Sequence, residues 1–92
     1  MSKSQIIKNV ATETGCSQQQ VNNVLNALCT EIQNIVAGGE KAVLVGFGTF
    51  YPSKRNESTG RNPRTGEPIT IKAAIAPKFR AGKKFKEAVN DN

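Results

Sequence analysis

The sequence predicts an α+β fold: a helical hairpin, then a short three-stranded sheet extended into a β-ribbon arm, then a brief C-terminal helix. Three observations predict it. Two S-x-x-Q signatures, Ser2 with Gln5 and Ser17 with Gln20, each precede a stretch of helical period. At Lys41 the pattern changes to β-branched runs. Residues 52–68 then hold no large apolar side chain, although strand-like segments flank them on both sides.

After the first signature come Ile6, Ile7, Val10 and Ala11, a short apolar stripe that stops near Gly15. After the second come Val21, Val24, Leu25, Leu28, Ile32, Ile35 and Val36, one apolar face along five turns. Gly38-Gly39 supplies a left-handed C-cap. The spacing predicts helices over about 3–14 and 18–37. Core packing explains the stripe, and its length on so small a chain implies that a second copy covers part of it.

Ala42-Val43-Leu44-Val45 is a strand candidate, turned back by Gly46-Phe47-Gly48 into Thr49-Phe50-Tyr51. Seventeen residues without core, 52–68, form either a disordered insertion or a projecting ribbon. The flanks favour the ribbon, because Ile69-Thr70-Ile71-Lys72 alternates as a strand and Asn62-Pro63-Arg64-Thr65-Gly66 has turn chemistry at the middle. Pro52 implies an edge or a bulge, and Pro77 is expected to end the second ribbon strand. Phe79 returns to the core. A last helix follows Gly82, with Phe85, Ala88 and Val89 on one side and Lys83, Lys84 and Lys86 at its start, where the macrodipole disfavours cations unless an anion docks there. The expected layout is a hairpin body over 1–39, a sheet over 40–52 and 73–81, an arm over 53–72 and a terminal helix over 82–92.

Composition narrows the function. The chain has 92 residues and 9.9 kDa, 37% of them apolar, with five aromatics: Phe47, Phe50, Tyr51, Phe79 and Phe85. Such a chain is near the lower limit for burying its own core, which again implies a partner subunit. No histidine is present, which removes Ser-His-Asp and Cys-His catalysis and His-containing zinc sites. Cys16 and Cys29 form no CxxC pair; Cys29 is expected to be a small buried hydrophobe and Cys16 to lie at the interhelical turn. The seven carboxylates are scattered, so no catalytic residue, metal or cofactor is expected. Gly46-Phe47-Gly48 lacks the rest of a dinucleotide fingerprint, and Gly82-Lys83-Lys84 is no phosphate-binding P-loop.

The net charge is +6. Lys3, Lys8 and Lys41 are cancelled by Glu13, Glu31 and Glu40, so the whole excess lies in residues 47–92, where ten basic groups face Glu57, Glu67, Glu87 and Asp91. That asymmetry is the footprint of a polyanion binder. No stretch is apolar enough to span a membrane, and the N-terminus lacks the apolar region of a secretory signal, so a cytosolic protein with reduced thiols is expected.

The strings Val45-Gly46-Phe47-Gly48-Thr49-Phe50, Gly60-Arg61-Asn62-Pro63-Arg64-Thr65-Gly66-Glu67 and Pro77-Lys78-Phe79-Arg80-Ala81-Gly82-Lys83, with Arg55, Ile69 and Ile71 in register, closely resemble the HU/IHF family of bacterial histone-like DNA-binding proteins, HU most of all. The resemblance covers essentially the whole chain. It implies an intertwined dimer, a homodimer or a heterodimer, whose two arms lie in the minor groove of double-stranded DNA. It further implies that Pro63 intercalates at a base step, beside Arg61 and Asn62. Lys54, Arg55, Arg61, Arg64 and Lys72 would line the arm against the groove. Lys3, Lys78, Arg80, Lys83 and Lys86 would form a phosphate platform on the body. Phe47, Phe50 and Phe79 are assigned to packing. Ser58, where the family often carries a cation, and Glu57 beside it weaken the arm's charge. The implied activity is non-catalytic wrapping, bending and compaction of DNA with little sequence preference, in a bacterial nucleoid. A site-specific IHF-like subunit is the nearest rival. An RNA-binding module is disfavoured by the shortage of exposed aromatics for base stacking.

Overall fold

The computed structural model describes residues 1–90 and divides into two compact units, Met1–Asn34 and the remainder from Ile35. In the first unit α1 (Lys3–Thr14) and the start of α2 (Gln18–Ala37) form the two helical segments. Both S-x-x-Q signatures are reciprocal capping boxes. Gln5 N donates to Ser2 Oγ (3.4 Å) and Ser2 N to Gln5 Oε1 (3.0 Å). Gln20 N donates to Ser17 Oγ (3.1 Å) and Ser17 N to Gln20 Oε1 (3.0 Å). Gly15, at φ 75°, ends α1 and donates to Ala11 O. Ser17→Ala removes the better-formed cap and is expected to cost about 1 kcal/mol. Its check is a thermal midpoint lowered by about 4–8 °C.

The apolar stripe is only partly covered. Ile7 and Ala11 are buried, whereas Val24 is 68% exposed and Leu28 is exposed as well. Ile6, Val10, Val21, Val24, Leu25 and Leu28 line an apolar groove of about 270 Å³ in this unit, together with Thr14, Cys16 and Gln20. Cys29 corrects the sequence-based expectation: it is exposed, as is Cys16.

In the second unit, the end of α2 closes with Gly39 N donating to Val36 O and Glu40 N to Ile35 O, with Gly39 at φ 89°. Strand β1 (Ala42–Leu44) pairs antiparallel with β2 (Gly48–Arg55), and β2 pairs with β5 (Ala74–Ala81). The turn between β1 and β2 closes by Phe47 N donating to Leu44 O, so Val45 belongs to the turn and is fully open. Beyond β2 and β5 a second ladder joins β3 (Ser58–Arg61) to β4 (Pro68–Ile71).

Both ladders keep one register. Arg55 pairs with Ala74 and Ser58 with Ile71, so two residues on each side separate them and nothing is inserted. The ribbon is therefore one antiparallel excursion with an interrupted ladder at Asn56-Glu57 and Lys72-Ala73.

Pro77 does not end a strand. It lies within β5, directly opposite Pro52. Two facing prolines fit an antiparallel ladder only where both nitrogens point outward. Outward from β5 is an open edge of the sheet, and outward from Pro52 lies beyond the reach of β1, which pairs only with Gly48–Phe50.

Phe50 and Phe79 face each other across β2 and β5 with centroids 4.7 Å apart. Phe47 lies 5.4 Å from Phe79 and stacks at 5.2 Å on Phe85. Phe85 belongs to α3 (Lys83–Asn90), which begins where Gly82 N donates to Phe47 O (2.8 Å). These aromatics pack together as expected, yet Phe79 is still 40% exposed. Val89 departs from its expected side of the helix contact and is exposed, because only Phe85 of α3 joins the rings.

Candidate nucleic-acid interface

The arm tip is built by backbone and short polar side chains. Asn62 N donates to Glu67 O (2.8 Å), and Gly66 N donates back to Asn62 O (2.7 Å). Asn62 Oδ1 accepts from Arg64 N (2.9 Å), the local bond that lets asparagine imitate a backbone turn. Thr65 Oγ1 accepts from Glu67 N (3.3 Å), and Gly66 takes φ 72°. Arg61 Nη1 donates to Gly66 O (3.1 Å), tying the guanidinium across the mouth of the loop. Pro63 opens the loop, exposed and with no N–H to satisfy. Its φ is fixed by the ring.

Side chains alternate across a strand, so register decides which cations share a face. In β2 and β5 one face carries Thr49, Tyr51, Ser53 and Arg55 with Arg80, Lys78, Ala76 and Ala74. In the outer ladder the same parity brings Thr59 and Arg61 with Thr70 and Pro68, while Glu57 and Lys72 lie in the interruption, outside both ladders. Register thus sets Arg55, Lys78 and Arg80 on one face of the inner ladder and Arg61 on the matching face of the outer one. The opposite face carries Phe50, Pro52, Gly60, Ile69, Ile71, Ile75, Pro77 and Phe79. Lys54 falls on that apolar face, opposite Ile75.

Besides Arg61, tied to Gly66 O, two cations of the polar face have partners. Arg55 Nη2 donates to Lys72 O (3.1 Å), bridging the interrupted rungs. The Arg80 guanidinium carbon lies 5.3 Å from the centroid of the Tyr51 ring, a contact the sequence reading did not contain. Its signal becomes readable only once Thr49 is known to face Arg80, which makes Tyr51 the diagonal neighbour.

The remaining predicted cations sit elsewhere. Lys83 and Lys86 are exposed on α3, and Lys83 Nζ is 3.9 Å from Glu87 Oε1, the one ion pair among the described residues. Lys3 lies on α1 in the other unit, with Nζ donating to Asn26 Oδ1 (2.5 Å). Asn62, Pro63 and Arg64 stay together at the tip.

Residues 1–90 match the model of the family described as bacterial DNA-binding protein. The chain belongs to the HU/IHF family. Among this family's members, the HU-beta protein of Neisseria meningitidis is 46% identical over 89 residues, covering 97% of this chain and 100% of that one. HU-beta of Escherichia coli is 44% identical over 90 residues, covering 98% and 100%. In three dimensions the chain resembles the Anabaena HU protein of an HU–DNA cocrystal structure, with a TM-score of 0.93, 38% identity and full coverage of both chains. It also resembles HU from Thermotoga maritima, with a TM-score of 0.69, 29% identity and coverage of 98% and 100%. Helical hairpin, antiparallel strands and C-terminal helix are thus the HU arrangement.

Proposed function

We propose that this HU-family chain is a non-catalytic architectural protein that binds double-stranded DNA as a dimer, bending and compacting it with little sequence preference. The observation that carries this reading is the ribbon face on which Arg55, Lys78 and Arg80 align, continued by Arg61 in the outer ladder. Guanidinium groups spaced along a narrow ribbon match the negative potential of a minor groove, and Pro63 at the exposed tip has the rigid apolar ring needed to wedge into a base step. The Anabaena relative is described in a complex with DNA, which supports the same partner here.

Dimerisation is supported by unsatisfied apolar surface. Val24, Leu28, Phe79 and Ile75 are exposed, and a second copy would cover them. No helix among the described residues is long and apolar enough to cross a membrane, and the reading places the protein on the bacterial nucleoid.

The test is binding to a random-sequence duplex of about 30 base pairs at several salt concentrations. A linear log–log decline with a slope of several units is the expected result. A large preference for one selected site over random duplex would instead assign an IHF-like role. A duplex RNA that outcompetes duplex DNA would overturn the assignment. Lys83→Ala gives a finer check. It should weaken binding equally on all sequences and lower the salt slope by about 1 per bound copy. Its ion pair with Glu87 is exposed, so the thermal midpoint should barely move. An unchanged slope would place Lys83 off the DNA path.

A further inference from the structure

We infer that Tyr51 is a positioning residue for DNA binding: its ring holds the Arg80 guanidinium in place for a phosphate of the duplex. This rests on the proposed DNA-binding role. The guanidinium carbon is 5.3 Å from the ring centroid, inside the range in which an aromatic face attracts a cation. Arg80 is exposed and Tyr51 half-buried, so the ring is the fixed partner and the arginine the one that gains order.

The surroundings exclude the usual alternative of a carboxylate partner. On this face of β2 and β5 stand Thr49, Ser53, Arg55, Ala74, Ala76 and Lys78, none of them acidic. Arg80 makes no ion pair and donates to no acceptor in the protein among the described residues. A guanidinium lying against a ring keeps its N–H edge free, and that edge is the part that grips phosphate through two parallel bonds. Lys78, directly opposite Tyr51, adds a second positive charge beside it. An arginine ordered before binding loses less side-chain freedom when the phosphate arrives. Tyr51 thereby strengthens binding without itself carrying charge.

The experiment titrates a labelled random duplex of about 30 base pairs with wild type, Tyr51→Leu, Tyr51→Phe, Arg80→Ala and the Tyr51→Leu/Arg80→Ala double variant, each over a salt series. Tyr51→Leu keeps apolar bulk but removes the ring, and is expected to weaken binding about two- to five-fold with the salt slope unchanged. Tyr51→Phe keeps the ring and should bind as wild type does. Arg80→Ala should weaken binding and lower the slope by about 1 per bound copy. The double variant should be no weaker than Arg80→Ala alone.

An equal loss from Tyr51→Leu in both arginine backgrounds would overturn the inference, since the ring would then act on DNA or on the fold directly. Binding by Tyr51→Leu equal to wild type, or by Tyr51→Phe as weak as the leucine variant, would overturn it too. Unchanged binding by Arg80→Ala would remove the inference and leave the DNA-binding reading standing. Failure of wild type to bind would remove that reading itself.

Discussion

Gly48→Ala is expected to lower the thermal midpoint by about 5–20 °C, corresponding to a loss of about 1–3 kcal/mol. Gly48 is buried at the start of β2. A Cβ there would stand 2.5 Å from Phe79 Cζ and 2.6 Å from Arg80 O. Replacing glycine by alanine ordinarily stabilises by about 0.4–1 kcal/mol through the unfolded chain. Here the opposing effect wins, because neither neighbour can retreat. Arg80 sits in the β2–β5 ladder, and the Phe79 ring is flanked by Phe47, Phe50 and Phe85. Gly60→Ala is the built-in control. Its Cβ would meet Ile71 Cδ1 at 3.1 Å, the far end of a flexible, half-buried arm side chain that can turn aside, so its midpoint should stay within about 2 °C of wild type. Calorimetry on the pair decides the matter: equal midpoints for both variants would mean that the ring cluster is loose.

Pro63→Ala should abolish most of the DNA bend while changing affinity by less than about threefold. The tip bonds run through Asn62, Arg64, Gly66 and Glu67, and proline contributes no donor to any of them. Alanine therefore leaves the loop closed and leaves Arg61 tied to Gly66 O. What disappears is the rigid ring that would pry a base step apart. Unstacking costs a few kcal/mol, and a flexible methyl cannot recover it. Energy transfer between dyes at the two duplex ends reads the bend, and anisotropy on the same duplex reads affinity. Equal bending by mutant and wild type would remove Pro63 from the wedge role, whereas a large affinity loss with the bend retained would make it a groove contact.

Local chemistry was legible in the sequence. Both capping boxes, the Gly15 and Gly39 ends and the Asn62–Gly66 loop involve residues at most five positions apart, so the helix bounds and the arm tip could be read from spacing alone. What failed depends on pairing across the whole arm. Pro77 reads as a terminator until Pro52 is found facing it, and no local pattern shows that Lys54 stands opposite Ile75, on the other face from Arg55. The Tyr51–Arg80 contact joins residues twenty-nine positions apart, and no local pattern announces it. Cys29 and Val89 were misplaced for a related reason: apolar spacing marks a face as coverable, but not whether the same chain supplies the cover.

The Pro52–Pro77 rung also bears on how the charges are kept where they are. If either strand slid by a single residue, its side chains would exchange sides, and its share of the basic ridge would turn toward the phenylalanines. Such a slide would also swing one of the two ring nitrogens inward, to a place where the ladder demands a donor it does not have. The misaligned hairpin would lack a hydrogen bond that the correct one never needed. Two uncharged residues, remote from the tip, thus act as a pin that keeps the arm's electrostatics facing the right way.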